Sequence, residues 1–313
     1  MTEDPRVYIL KCPPRSRHFI NKITNKSHKF VNKSTKKLDI AKLLNVIVDR
    51  FKPKVNTYYI RHVHHTQMET IQGILEVLDN CSYWNRYKKG DLSGEYLRKH
   101  HKLYTKWGVY GCLYKIILEI YLKRDKYFKL KEQSIDSTFI RNLYGVELIQ
   151  RNPCYKSKNG IKVSAIDDRN GVAHSIAISK GAAHDSIPAK AQINHSFIDN
   201  DPNKVRRNNR YRQNIRGDTH YYAKELKLKL EKRGYNVLTD ANVGNTRNKQ
   251  KLREIYKIKN KYRKSSKKRA IKETSFGWLH KYPKLDRYIE KTVSSYSGLL
   301  LLGYSITLIG KIK

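Results

Sequence analysis

Apolar residues recur at helical spacing through the first third of the chain. In residues 38–51, LDIAKLLNVIVDRF, Ile40, Leu43, Leu44 and Ile47 fall on one face, and in residues 66–80, TQMETIQGILEVLDN, Ile71, Ile74, Leu75 and Leu78 do the same. Each segment predicts a short amphipathic helix. Residues 91–107 predict a third, with Ser93 as N-cap, an apolar stripe of Tyr96, Leu97, Tyr104 and Trp107, and a stop at Gly108. The segment VYGCLYKIILEIYLKR makes a fourth. The last two helices meet at Gly108 beside a basic run, Arg98, Lys99, His100, His101 and Lys102. They read equally well as a helix-turn-helix or as a helical hairpin with a solvated basic face.

From residue 132 the pattern changes. QSIDSTFI, IKVSAIDD, VAHSIAIS and YNVLTD are short apolar runs rich in β-branched residues and bounded by Gly, Asn and Asp, as strands are. The second and third form a hairpin turning at Arg169, Asn170 and Gly171. YYAKELKLKLEKRG, residues 221–234, is a helix ended by Gly234, and helices resume near residue 247. The chain thus divides into a basic, weakly ordered arm over residues 1–35, a helical region over 36–130 and an α/β domain over 131–313. Within that domain the basic, Asn-rich stretch 200–218 has no apolar period and reads as an exposed loop.

Charge narrows the function. The 313 residues include 66 Lys and Arg against 27 Asp and Glu, a formal charge of +39 spread along the length. Codon usage in an AT-rich genome inflates lysine but does not keep acids this scarce, so the expected partner is a polyanion. Each phosphate neutralised by a cation releases condensed counterions, which favours nucleic acid over an anionic membrane surface. Cys12, Cys81, Cys112 and Cys154 are too scattered for a zinc ribbon or a disulfide framework, which fits a reducing compartment. No signal-peptide layout opens the chain, and the apolar stretch 297–310 is too short to span a bilayer, so a soluble protein is expected.

In so basic a chain, isolated acids on ordered elements stand out. Asp136 and Asp240 each close an apolar run, and Glu273 sits among Lys267, Lys268, Arg269 and Lys272 on a segment anchored by Ile271, Phe276 and Leu279. Three convergent carboxylates suit hard divalent cations, and two such ions activate a water or a 3′-hydroxyl for in-line displacement at phosphorus. Taken singly, each acid is more ordinary: strand-end aspartates cap turns, and helical glutamates pair with lysines. HVHH at 62–65 lacks a second ligand group and reads as surface histidines.

The residues around these acids go further. SIDSTFI, the lysine-bearing hairpin NGIKVSAIDDRNGVAHSIAISKGAAHDS with its terminal His184-Asp185, NVLTDANVGN and above all KKRAIKETSFGWLHKYPKLDRYIEK resemble the successive motifs of DDE transposases of bacterial insertion sequences, in the group four and five superfamily with Harbinger-like relatives. The likeness covers residues 75–310. It implies an RNase H-like fold, a mixed sheet flanked by helices, behind a helical DNA-binding region. It implies a DNA transposase that cleaves transposon ends and joins them to target DNA, with Asp136, Asp240 and Glu273 holding two Mg²⁺ or Mn²⁺ ions. Double-stranded DNA is the implied partner, bound by a homodimer or higher oligomer near the nucleoid of a prokaryote or in a eukaryotic nucleus. Lys156, Lys158, Lys162, Lys272, Arg287, Lys291, Arg98 and Lys99 are the phosphate contacts it suggests. Pro283 would break the helix beyond Glu273 and bring Arg287 and Lys291 back. The likeness departs at Val243, where the family has a Tyr three positions after its second acid, and at Asn245, where it has an acid. Asp218 in IRGDTH is the runner-up; no strand is evident before it, and it reads as a helix N-cap. The rivals are a domesticated DNA-binding relative or nuclease, and a basic nucleic-acid-packaging protein.

Overall fold

The computed structural model describes residues 4–32, 35, 38–53, 65–80, 83–198, 213–221, 223–239, 248–263 and 270–312; of 15, 251, 258, 261–263 and 270–274 it describes the backbone alone. Strand β1 (Val7–Ile9) and helix α1 (Arg17–Asn25) both form inside the segment expected to be a weakly ordered arm. Few apolar residues are needed for this: Ile20 and Ile23, three apart, are both buried. The helices predicted next follow, α2 (Ile40–Phe51) and α3 (Gln67–Asn80), with Asp39 accepting the Lys42 N–H at the start of α2. A small hairpin of β2 (Lys88–Lys89) and β3 (Leu92–Ser93) leads into α4 (Gly94–Lys106), where the Ser93 hydroxyl accepts the Tyr96 N–H as its sequence position requires. Gly108 then turns the chain at φ +75° into α5 (Val109–Leu122), and α6 (Lys126–Leu130) is a single further turn or so.

Beyond these come β4 (Glu132–Asn142), β5 (Gln150–Asn152), β6 (Lys158–Asp167), β7 (Ala173–Lys180), α7 (Ser186–Gln192), β8 (Asn214–Gly217), α8 (Lys224–Lys232), β9 (Asn236–Thr239), α9 (Lys249–Arg263) and α10 (Ala270–Leu279). The chain ends with α11 (Pro283–Asp286), β10 (Arg287–Tyr288) and α12 (Val293–Ile309). Two compact units result. One comprises Met1–Leu10, Leu122–Ile140 and Gln150–Gly277, the other Lys11–Tyr121, Arg141–Ile149 and Trp278–Lys313.

The first unit is a mixed sheet flanked by helices, the expected RNase H-like arrangement. Its strand order is β1-β7-β6-β4-β8-β9, with β5 beside β6. β1, β7 and β6 are antiparallel, whereas β4, β8 and β9 run parallel. The hairpin closes where expected: the Asp168 carboxylate accepts the Asn170 and Val172 N–H groups, and Gly171 takes φ +70°. On one face Ile135, Ile166 and Ile215 pack with Ala189 of α7, Leu226 and Leu230 of α8, and Tyr221.

One stretch departs from its sequence reading. The end of the 200–218 segment, read as an exposed loop, forms β8 in the interior of the sheet, between β4 and β9. Its four residues, Asn-Ile-Arg-Gly, hold a single large apolar side chain, so no hydrophobic alternation announces a strand. Burial is achieved instead by pairing: Arg216, 4% exposed along its side chain, bonds Glu132 of the neighbouring strand.

In the second unit α12 is buried nearly all round and packs on α4. No described helix is long and apolar enough to cross a membrane. The Glu290 carboxylate anchors this unit, accepting the Trp84 indole N–H at 2.7 Å and the Ser295 hydroxyl at 2.6 Å, with the buried Lys284 ammonium 3.4 Å away and 4.6 Å above the Trp84 ring. Two readings of the basic helix pair are resolved here. His101 is fully buried rather than part of a basic face, and α5 is buried around most of its circumference. It has no free face to enter a DNA groove, so α4 and α5 form the helical hairpin, not a helix-turn-helix with α5 as reader.

Candidate active site

Parallel pairing of β4 with β8 sets the geometry of the acids. Glu132 lies opposite Asn214, Gln133 opposite Ile215 and Ser134 opposite Arg216. Two residues further along at the same offset, Asp136 comes level with Asp218, the residue that follows β8. Neighbouring strands are about 4.8 Å apart, so the two residues stand at neighbouring positions where the paired strands end, and both charges act on the buried Tyr221. Asp218 thus does have a strand before it. Its Oδ1 accepts the His220 N–H at 2.9 Å and caps the single 3-10 turn Thr219–Tyr221, while the N-cap of α8 is Ala223.

Tyr221 is buried in the core of this unit, within reach of these acids' charges. Its phenol is pushed well above the ordinary value by burial and then by the negative charges of Asp185, Asp136 and Asp218, which face it. It also stands three positions after Asp218, where the family motif has its Tyr and where Val243 breaks the pattern after Asp240. That position was the signal available in the sequence.

A third carboxylate is tied in through Ser137. Its backbone N–H donates to Asp136 Oδ1 at 2.8 Å and its hydroxyl to Asp185 Oδ1 at 2.6 Å. The Lys162 ammonium, on β6, bonds the same Asp185 oxygen at 2.9 Å and the Ala183 carbonyl at 3.0 Å. Both partners are about 14% exposed, so Lys162 is held inside the unit by Asp185 rather than extended from it. His184 packs edge-on to His220, with ring centroids 6.1 Å apart.

Of the other residues singled out, Asp240 lies outside the described residues, and β9, which ends just before it, is separated from β4 by β8. Glu273 and Lys272 lie on α10, whose backbone alone is described there. Lys156 and Lys158 are exposed beside the β5–β6 turn. Arg98 is engaged by Glu95 through two 2.7 Å bonds, and Lys99 is exposed. The chain does break at Pro283, after which Arg287 and Lys291 are exposed. Trp278 is half-buried with the Lys311 ammonium 4.0 Å from its ring, and Phe276 and Leu279 are buried. Of the HVHH run only His65 is described, and it packs against Tyr96. Among the described residues no three His, Cys, Asp or Glu side chains are arranged to hold a metal ion.

The model of one protein family, the transposase DDE domain, matches residues 128–302, more than half of the chain. The chain belongs to the transposase DDE domain family. No curated relative and no solved structure matches it. The match of the transposase DDE domain begins just before β4 and ends within α12, so Asp136, Asp185, Asp218, Asp240 and Glu273 all fall inside it. Divalent metal ions are the general cofactors of transposases of this family. The donor set suits them in kind, since the paired Asp136 and Asp218 offer only oxygen, and Mg²⁺ and Mn²⁺ prefer oxygen ligands.

Proposed function

We propose that this protein is a DNA transposase that cuts at transposon ends and joins the freed ends to target DNA, with Asp136, Asp218 and Glu273 as its acidic triad. The observation that supports it is the offset of the parallel β4–β8 pair, which continued two residues puts Asp136 level with Asp218, just past the end of β8. Asp240 follows β9, one strand farther from β4, which makes it the weaker candidate for the second acid. Two Mg²⁺ ions held by the triad would supply Lewis-acid activation of a water or 3′-hydroxyl and stabilise the leaving oxygen.

The chain's own residues prepare that site. Ser137 orients Asp136 through its N–H and holds Asp185 through its hydroxyl. Lys162 neutralises Asp185, which limits the negative charge gathered around the pair. The excess of lysine and arginine, with Lys156, Lys158, Lys272, Arg287, Lys291 and Lys99 as named contributors, holds the DNA backbone against an acidic centre.

The test is cleavage of end-bearing DNA in Mg²⁺. Loss of an outer-sphere partner costs about 10–100-fold, so Asp136→Asn, Asp218→Asn and Glu273→Gln should each cost more than about a hundredfold. Asp240→Asn should cost less. If Asp240→Asn abolishes cleavage while Asp218→Asn preserves it, the triad is wrong; if none of the four matters, the enzyme reading is wrong.

A further inference from the structure

In the second unit an exposed surface gathers like charges and rings that the packing of that unit does not require. β10 runs parallel to the end of β4, and Arg287 lies opposite Arg141. Register partners share a face of the sheet. The next pair, Tyr288 and Asn142, points to the other side, where Tyr288 is fully buried, so the two arginines look into solvent. Like charges placed directly opposite on a sheet destabilise it. Little offsets them: the Asp286 carboxylate is 3.8 Å from Arg287 Nε but is engaged by His280 at 2.7 Å, and no described carboxylate pairs with Arg141. The backbones of the two arginines are one strand spacing apart, about 4.8 Å, so two guanidinium groups on the same face can reach the oxygens of one phosphate.

The segment after Arg141 displays an aromatic ring and is pinned while doing so. Asn142 bonds Gly145 through both ends of its amide, the Val146 N–H donates to the Lys291 carbonyl, and the Glu147 carboxylate accepts the Val293 N–H. Gly145 is required by close approach, since a Cβ there would stand 2.0 Å from the Tyr288 ring. Held by these bonds, Tyr144 is 56% exposed and Val146 71% exposed. The Tyr83 ring meets Tyr144 edge-on with centroids 6.0 Å apart, and the Arg86 guanidinium covers Tyr83 at 4.9 Å. Tyr144 is three positions beyond Arg141, at most about 11 Å of chain, so one short strand of nucleic acid can touch both.

We infer that Arg141, Arg287, Tyr144, Tyr83 and Arg86 form a binding surface for single-stranded DNA. The arginine pair holds a backbone phosphate, and Tyr144, backed by Tyr83 and Arg86, stacks on an unpaired base. Duplex DNA satisfies the arginines but keeps its bases stacked inside, so a rigid exposed ring selects the unpaired strand. The inference goes beyond cleavage and does not depend on which acids bind metal.

Fluorescence anisotropy of the full chain in EDTA tests it, with a short labelled single strand and the blunt duplex of the same sequence, each over a range of salt. Stacking is worth about 1–3 kcal/mol per base, so Tyr144→Ala should weaken single-strand binding by about tenfold or more and duplex binding by less than about twofold. Tyr144→Phe should bind as wild type. Arg141→Gln combined with Arg287→Gln should weaken both ligands and lower the single-strand salt slope by about 0.7 for the one phosphate released. Unchanged single-strand affinity in Tyr144→Ala, equal losses on both ligands, or wild-type binding by the double arginine variant overturns the proposal. Thermal melts of each variant verify that it is folded. Absence of cleavage in Mg²⁺ would count against the active-site reading alone, because these titrations contain no metal.

Discussion

Asn214 sits opposite Glu132 on neighbouring parallel strands and donates to its carboxylate at 3.0 Å. This pairing fixes the offset at which Asp218 comes level with Asp136. The same Glu132 receives Arg216, so one carboxylate secures both polar residues of a strand that has little apolar surface to hold it in the sheet.

The Glu132–Arg216 pair should therefore behave as a buried ion pair. Removing one partner from such a pair costs about 3–5 kcal/mol, whereas replacing both with apolar residues is often neutral. Arg216→Met should lower the urea midpoint strongly, and Glu132→Leu with Arg216→Met should recover most of it. An additive double variant would show that the two side chains do not act together.

Lys162 offers a similar contrast with a functional edge. With Asp185 as its partner, Lys162→Met should cost about 3 kcal/mol by leaving a nearly buried carboxylate unpaired, and Asp185→Asn in the same chain should restore part of that loss. Chemical denaturation measures both. A Lys162→Met protein of unchanged stability that has lost duplex affinity would instead make Lys162 a phosphate contact.

Glu290→Gln should be among the most damaging single changes in the second unit. It removes the charge that the fully buried Lys284 faces at 3.4 Å and weakens the bonds from Trp84 and Ser295. A loss of about 3–5 kcal/mol is expected. Trp84→Phe removes one hydrogen bond to a charged group and should cost about 1.5–3 kcal/mol before any packing change. Thermal melts of the two variants give the order.

Acid should destabilise this protein through His101. Burial pushes its pKa down to about 4, against the opposing pull of Glu290. Its neutral ring is fixed at both ends, Nε2–H donating to the Ser295 carbonyl at 2.9 Å and Nδ1 accepting from the Tyr110 hydroxyl at 3.0 Å. The unfolded chain protonates this histidine near pH 6.5, so it binds the extra proton first, and stability falls as pH drops from 6.5 toward 4. The loss from this group is roughly 2 kcal/mol at pH 5 relative to pH 8. Urea melts across that range should show the slope in the wild type and a shallower one in His101→Gln.

Helices α2, α3 and α4 and the β6–β7 hairpin were legible because each rests on local chemistry: apolar spacing, a capping side chain at Asp39 or Ser93, and a turn built on Asp168 and Gly171. Strand β8 was not, because its burial comes from Glu132, eighty-odd positions away, rather than from its own side chains. Without that strand the sequence reading ranked Asp240 ahead of Asp218 as the second acid, and β8 is what brings Asp218 forward as a candidate. The Tyr at position 221, three residues after Asp218, was the local trace of this alternative in the sequence.

By itself the sequence determined the polyanion-binding charge, the α/β class and Asp136 and Glu273 as acids of interest, all of which depend on residue type and short-range order. The tertiary structure alone decided which strand lies beside β4, that Lys162 turns inward to Asp185, that His101 is neutral and buried, and that Arg141 faces Arg287. Each of these is a pairing between residues distant in the chain, set by strand register and by the cost of leaving a buried charge alone, and neither leaves a periodic mark in the sequence.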